Sequence, residues 1–366
     1  MLDGIRIIEI EGLGPGPFAA MLLADLGAEV IVVHRAGGGS VITSEKSLLD
    51  RGKRSIELDL KNPADIEIAK QLIASADGLI EGFRPGVMEN LGLGPEVCHA
   101  LNPALVFGRM TGWGQDGPRS TTAGHDLNYI ATSGALYYAC EPQDAPFTPP
   151  TLVGDVGGGA LYLVIGILSA ILKSRETGKG CVVDAAIVDG SAHMMNLLMA
   201  LGQNGGLSET RGQSLIDGPH WCHSYVCADG GYLSVQCLEP KFYAIFLDLL
   251  GLTGEAMFKS QYDRALWPDQ TAALGAIFAS LPLSHWATLF AGSDACVAPV
   301  LSPQAAAKDP HMVARNVWQT RDGTLQATAA PRFSTDTRQE IHSAPARGQH
   351  SAEIRNEIHN KTDKSA

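Results

Sequence analysis

Three short stretches carry side chains that could move protons: AGHDLNY (123–129), LVGDVGGGALYL (152–163) and QCLEPKFY (236–243). His125 follows a glycine and precedes helical apolar spacing, a place where a lone histidine more often caps or packs than reacts. Asp155 stands where a helix N-cap belongs, and a plain cap would use the same residue. The glycines behind it, Gly157 to Gly159, expose first-turn N–H groups that have no partner within a helix. Each glycine also costs a helix about 1 kcal/mol against alanine, which close backbone approach to a ligand would explain. Glu239 closes an apolar strand pattern just before Pro240; alone, it reads as a helix-start charge. One chemistry uses all three. Removing a proton from the carbon beside a thioester carbonyl needs a base at the C–H bond and donors aimed at the enolate oxygen. Returning it on the opposite face needs a second acid. His125 oriented by Glu239, Asp155, and the N–H groups after Asp155 would supply these parts without a metal.

A second set of groups suits phosphates. Arg35 follows one strand pattern, Arg51-Gly52-Lys53-Arg54 precedes another, and Arg84 follows a third. The C-terminal ends of parallel strands line one rim, where open α/β folds bind ligands. Arg35 and Arg84 would share that rim, with the 51–54 loop folded over it. Guanidinium forks match phosphate geometry, although solvated surface charge accounts for the same residues equally well. The stretch GPGPFAAMLLADLGAEVIVVHR (14–35) spells turn, helix and strand, and Gly14-x-Gly16-x-x-Ala19 fits the dinucleotide fingerprint. The second strand should then end in Asp or Glu to bind a ribose. It ends in His34-Arg35, and Pro15 and Pro17 lack the N–H groups a pyrophosphate would meet. This weakens an NAD reading and leaves an NADP site open.

Strand and helix patterns alternate through the first half of the chain: Ile5–Ile10, a helix to Leu26, Val30–Val33, Ser55–Leu60, a helix Pro63–Ser75, Gly78–Glu81 and Leu105–Met110. Such alternation predicts a mostly parallel sheet with flanking helices, since parallel neighbours need a crossover. An apolar helix from Gly157 to Lys173, a strand Cys181–Ala185 and a helix Gly190–Leu201 follow, then a Gly-, Asn- and Ser-rich stretch, 202–212, that reads as a linker. Beyond it, Tyr225–Ala228 and Tyr232–Gln236 read as a hairpin ahead of helices near Lys241–Leu250, Asp269–Ala279 and Leu283–Phe290. This predicts a smaller α+β domain, followed by a polar tail with one helical segment, Ser351–His359.

Hydrophobic content of 45% with 18% charged residues is ordinary for a globular protein. A net charge of −12 argues against general nucleic-acid binding. Seven scattered cysteines without C-x-x-C spacing read as reduced thiols of an intracellular, cytoplasmic protein. Met1-Leu2-Asp3-Gly4 leads straight into a strand rather than a leader, and the apolar run Ala160–Leu172 is too short to span a bilayer, so no membrane insertion is expected. His220 and His223 without a third ligand are weak evidence for metal, and none is expected.

Collinear motifs extend nearly end to end: GPGPFAAMLLADLGAEVI, RGKRSIELDLK (51–61), FRPGVMENLGLGP (83–95), RMTGWGQDGP (109–118), AGHDLNY, LVGDVGGG, GKGCVVDAAIVDG (178–190), LEPKFYA and DACVAPVL (294–301). Through them the chain resembles the family III CoA-transferase superfamily and, within it, the α-methylacyl-CoA racemases. The resemblance implies an α/β fold: a large CoA-binding domain with a mostly parallel sheet built from both chain ends (1–200 and 313–366), a linker (201–224) and a small α+β domain (225–312). It also implies an interlocked homodimer whose site lies between the large domain of one subunit and the small domain of the other. His125 and Asp155 fall on the two catalytic residues, and Glu239 on the carboxylate paired with the histidine. Arg35, Leu58, Asp59, Leu60, Lys61, Arg84, Gly124, Asp126, Leu127, Asn128 and Tyr129 fall on CoA-contacting positions. No cofactor is implied beyond CoA, which is part of the substrate.

The expected activity is two-base racemisation or epimerisation of 2-methyl-branched acyl-CoA thioesters, in lipid and fatty acid metabolism. The alternative is CoA transfer between carboxylic acids through an acyl anhydride on Asp155. His125, Glu239 and QCLEPKF in place of a glycine-rich loop favour the racemase. Two departures stand out. Asn90 replaces an arginine that many relatives carry before LGLGP. The segment LIDGPHWCHSY (215–225) departs from the racemase pattern and puts Pro219, His220, Trp221 and His223 near the expected acyl pocket.

Overall fold

The computed structural model describes residues 1–38, 46–335 and 341–365. Six parallel strands form one sheet in the order β3-β2-β1-β4-β5-β6: β1 Arg6–Ile10, β2 Glu29–Arg35, β3 Arg54–Leu58, β4 Gly78–Glu81, β5 Val106–Thr111 and β6 Val182–Ala186. The α/β class read from the alternating patterns is therefore the one observed. Ile8 pairs with Ile31 of β2 on one side and with Leu79 of β4 on the other. The strands are near-continuous apolar runs because helices cover both faces. On one face α1 (Pro15–Asp25) and the Leu161–Thr177 helix pack Ala19, Leu23, Leu163 and Ile167 against Ile7 and Val106. On the other, α2 (Pro63–Ala74) brings Leu72 and Ile73 against Ile8, Ile56 and Leu79, and the Ser351–Ser365 helix adds Ile354.

The free edge of β3 is closed by the chain's last segment. His350 donates its N–H to the Ser55 carbonyl (2.9 Å) and accepts the Ser55 N–H on Nδ1 (3.0 Å). Ser351 Oγ accepts the Glu57 N–H at 3.1 Å. An exposed row of strand donors and acceptors is thereby satisfied.

The chain divides into two compact units: Met1–Ala135, Pro149–Met194 and Pro310–Ala366 form the first, Leu136–Thr148 and Met195–Asp309 the second. The 202–212 stretch lies inside the second unit, so the chain crosses between units elsewhere. The second unit holds an antiparallel sheet of β7 (Cys222–Val226), β8 (Tyr232–Gln236) and β9 (Val297–Pro299). Trp221, Phe246, Phe278 and Trp286 fill its core.

Two local differences from the sequence reading bear on the site. The helix expected from Gly157 to Lys173 begins earlier, with a π-helical turn over Leu152–Ala160 that runs into Leu161–Thr177. The combined Leu152–Thr177 stretch is long and apolar enough to cross a membrane by length and composition, an 18-residue window within it having a mean hydropathy of 1.9. Leu163, Val164, Ile167 and Ile171 nevertheless pack into the sheet core. The helix expected over Gly190–Leu201 is two helices, Ile187–Met194 and Asn196–Gln203.

Candidate active site

Strand order reverses between β1 and β4, and the crevice beyond their C-terminal ends is the natural ligand site of such sheets. The β1–α1 turn lies over it: a Cβ on Gly16 would stand 3.8 Å from Ile80 of β4. Gly14 takes φ +64° there, and a Cβ on it would lie 3.5 Å from Asp155 Oδ2. The turn that opens the sequence fingerprint is thus packed against the Asp155 carboxyl.

Asp155 is half-buried inside the π-helical turn, whose N-cap is Thr151, rather than at the N-cap. Val156 donates to the Thr151 carbonyl five residues back (2.9 Å). The first-turn N–H groups are therefore those of Leu152 to Asp155, and the glycines that follow sit inside the helical ladder. The expectation that N–H groups after Asp155 are free for an oxyanion is overturned. The triple glycine has a packing cause instead. A Cβ on Gly158 would stand 2.7 Å from the Ser191 nitrogen, and one on Gly159 3.0 Å from Ile187, so the close neighbour is the Ile187–Met194 helix and not a ligand.

Asp155 donates its own N–H to Asp126 Oδ1 at 2.8 Å. Asp126 is 4% exposed, and its Oδ2 is buried without a hydrogen-bond partner among the described residues. Burial first, and then the Asp126 charge, push the Asp155 carboxyl up to about 6, against the opposing pull of His125. His125 is the N-cap of the Asp126–Ser133 helix and is exposed. Its backbone N–H is taken by Asn128 Oδ1 (3.0 Å), half of a capping box made from the N3 side. Tyr129 donates its hydroxyl to the Gly124 carbonyl and meets Trp113 edge to face at 4.8 Å. Burial and then the Asp155 charge hold its phenol above the usual range.

The structure thus brings His125 and Asp155 together in the first unit. Glu239 is exposed in the second unit, as N-cap of the Pro240–Leu249 helix. Arg35 ends β2 and Arg84 follows β4; both are exposed at the C-terminal rim of the sheet. Asp59 and Lys61 are exposed just past β3, where Asp59 Oδ1 accepts the Lys61 N–H (3.0 Å). Leu60, Gly124, Leu127 and Tyr129 are half-buried, and Asn128 is exposed. Leu58 departs from its expected role, because the residue is fully buried and its carbonyl accepts the Ala36 N–H (3.1 Å).

The 51–54 loop does not fold over the rim. Arg51 pairs with Asp25 (2.5 Å), Lys53 with Glu9 (2.5 Å) and Asp50 (3.4 Å), and Arg54 with Glu29 (2.9 Å), Glu353 (2.8 Å) and Glu357 (2.6 Å). These cations neutralise carboxylates, two of them deep in the fold, and Arg54 starts β3 at the opposite end of the sheet. The 215–225 segment also differs from expectation. His220 and Trp221 are buried, and His220 Nε2 bonds the Tyr243 hydroxyl at 2.7 Å. Burial, then His223, pushes His220 down to about 3. His223 faces Glu141 instead (3.4 Å), so the two rings do not converge.

Sequence reasoning missed Glu81, a 2%-exposed carboxyl at the C-terminal end of β4 that burial raises to about 7. Its Oε2 accepts the Phe83 N–H (2.7 Å), and Arg109 of β5 stands 3.8 Å from Oε1. A charged residue inside an apolar strand, as in GLIEG and VFGRMT, was the available signal.

An open parallel α/β sheet whose strand order reverses beside a raised carboxyl is the architecture of a ligand-binding fold. The chain belongs to CoA-transferase family III, whose family model matches residues 2–351. It is 38% identical over 359 residues to the alpha-methylacyl-CoA racemase of Mus musculus, covering 97% of this chain and 92% of that protein. It is 29% identical over 383 residues to the acetyl-CoA:oxalate CoA-transferase of Acetobacter aceti, covering 97% and 95%. Among solved structures, a CAIB/BAIF family protein from Brucella suis matches with a TM-score of 0.81 at 26% identity, over 98% of this chain and 99% of that one.

Proposed function

We propose that this enzyme racemises or epimerises 2-methyl-branched acyl-CoA thioesters, with His125 and Asp155 as the two proton-transfer groups. One of them removes the proton from C2, and the C–H electron pair becomes the enolate double bond as the carbonyl electrons move to oxygen. The other donates its proton to the opposite face of C2, and the carbonyl re-forms. The pair ends with the same single proton on the other partner. The observation that carries this reading is the Asp155 carboxyl raised to about 6 beside His125. A carboxyl held there gives up or takes a proton near neutral pH, as a group that serves as acid in one direction and as base in the other must.

In this reading Arg35 and Arg84 receive CoA phosphates, Glu239 orients His125, and no cofactor or metal is required. The working form is a cytoplasmic homodimer whose site draws on the large unit of one subunit and the small unit of the other. Exposed apolar side chains, Leu161, Ile165 and Leu172 along one helix and Leu197 on another, support a covered surface of that kind.

The test is C2 deuterium uptake from heavy water by either enantiomer of a 2-methylacyl-CoA. Exchange from both is expected, falling roughly 10²- to 10⁴-fold in His125→Ala or Asp155→Ala; absence of exchange from either enantiomer rejects the reading. The likeness to a CoA-transferase supports a second reading, with Asp155 as nucleophile. Hydroxylamine trapping of an acyl adduct on Asp155 without C2 exchange would favour it.

A further inference from the structure

The resemblance assigns Asp126 to CoA contact, but its geometry fits a different task. Its side chain is buried, and one oxygen is spent on the Asp155 backbone N–H. The other oxygen is enclosed without a donor among the described residues, a costly arrangement that asks for a cause. Gly154 makes room for the contact, because a Cβ there would come within 2.4 Å of Asp126 Oδ1 and 2.9 Å of Ile130. We infer that Asp126 is a positioning residue of the proton-transfer pair, clamping the Asp155 backbone and holding a negative charge against its carboxyl. This inference rests on the reading of His125 and Asp155 given above and deepens it.

The groups around Asp155 leave Asp126 as the main source of negative field. Asp126, His125 and Tyr129 come from the same helix, and only the first two shift Asp155. From the Ile187–Met194 helix, His193 is engaged with the Tyr162 hydroxyl (2.8 Å), and Asp189 acts on Asp184 rather than on Asp155. On β5, Arg109 is engaged with Glu89, and on β6 Asp184 accepts the Gln115 N–H. In α1 the first ionisable side chain is Asp25 at the far end, paired with Arg51. As pH falls through about 6, Asp155 becomes protonated in the form where it must act as the base. The acid side of the kcat/KM profile reports that event.

Asp126→Asn keeps an oxygen for the Asp155 N–H and removes the charge. The expected result is an acid limb moved down by about one pH unit or more, tenfold in the proton dissociation constant, with KM for the CoA thioester unchanged. An unmoved limb with a raised KM would make Asp126 a CoA contact and overturn the inference. A ¹³C carboxyl titration of Asp155 in the wild type and in D126N separates this outcome from failure of the racemase reading, since it needs no turnover. A resonance titrating near 6 that drops in D126N supports the inference, and one that does not move refutes it. D126S serves the same comparison if D126N does not fold.

Discussion

At Gly154 a single added carbon would separate the two acidic side chains of the site. Gly154→Ala puts a Cβ 2.4 Å from Asp126 Oδ1, which forces the oxygen off the Asp155 N–H. The expected outcome is a loss of C2 exchange of order 10²-fold or more, measured in heavy water, with CoA-thioester affinity by calorimetry nearly unchanged because Arg35 and Arg84 are untouched. Residue types and neighbours single out His125 and Asp155 as candidates in the sequence, and the family resemblance supplies their expected roles. The job of Asp126 was not, because the contact spans 29 positions and depends on a π-helical turn whose spacing leaves no periodic mark. The triple glycine was noticed for a sound energetic reason and given the wrong neighbour.

The loop ahead of β3 shows the same limit for an element. A run of three cations in four residues looks like a phosphate patch until its partners, Glu9, Asp25, Glu29 and Glu353, are brought up from distant positions. Burial holds Glu9 above its usual range even with Lys53 pulling against it, so the lysine at 2.5 Å is what eases a carboxyl inside β1. Lys53→Ala leaves that charge buried and unpaired. It should lower unfolding free energy by about 3–5 kcal/mol, read from denaturant midpoints, with CoA affinity of the surviving folded fraction unchanged. The parallel strands were legible because apolar residues dominate them despite single charges such as Glu9, Glu81 and Arg109. The hairpin of Trp318–Arg321 and Thr324–Ala327 went unread although Asp322-Gly323 marks it, both residues taking positive φ, at 50° and 76°, as a tight two-residue turn requires.

For the molecule as a whole, the large unit is assembled from both chain ends. Ile354 is fully buried beside Ile56 and Leu58, so Ile354→Ala should cost about 2–5 kcal/mol. The check is a lower denaturation midpoint without any change in the pH profile of exchange. Composition and alternating patterns conveyed the fold class, while the division into units was blurred by the excursion of Leu136–Thr148 into the second unit, which no compositional shift announces. During synthesis, β3 emerges from the ribosome some three hundred residues before His350 and Ser351, its hydrogen-bonding partners. A nascent chain must therefore carry an open strand edge through most of its translation, and growing polypeptides of this protein would be natural clients for chaperones that shield such edges.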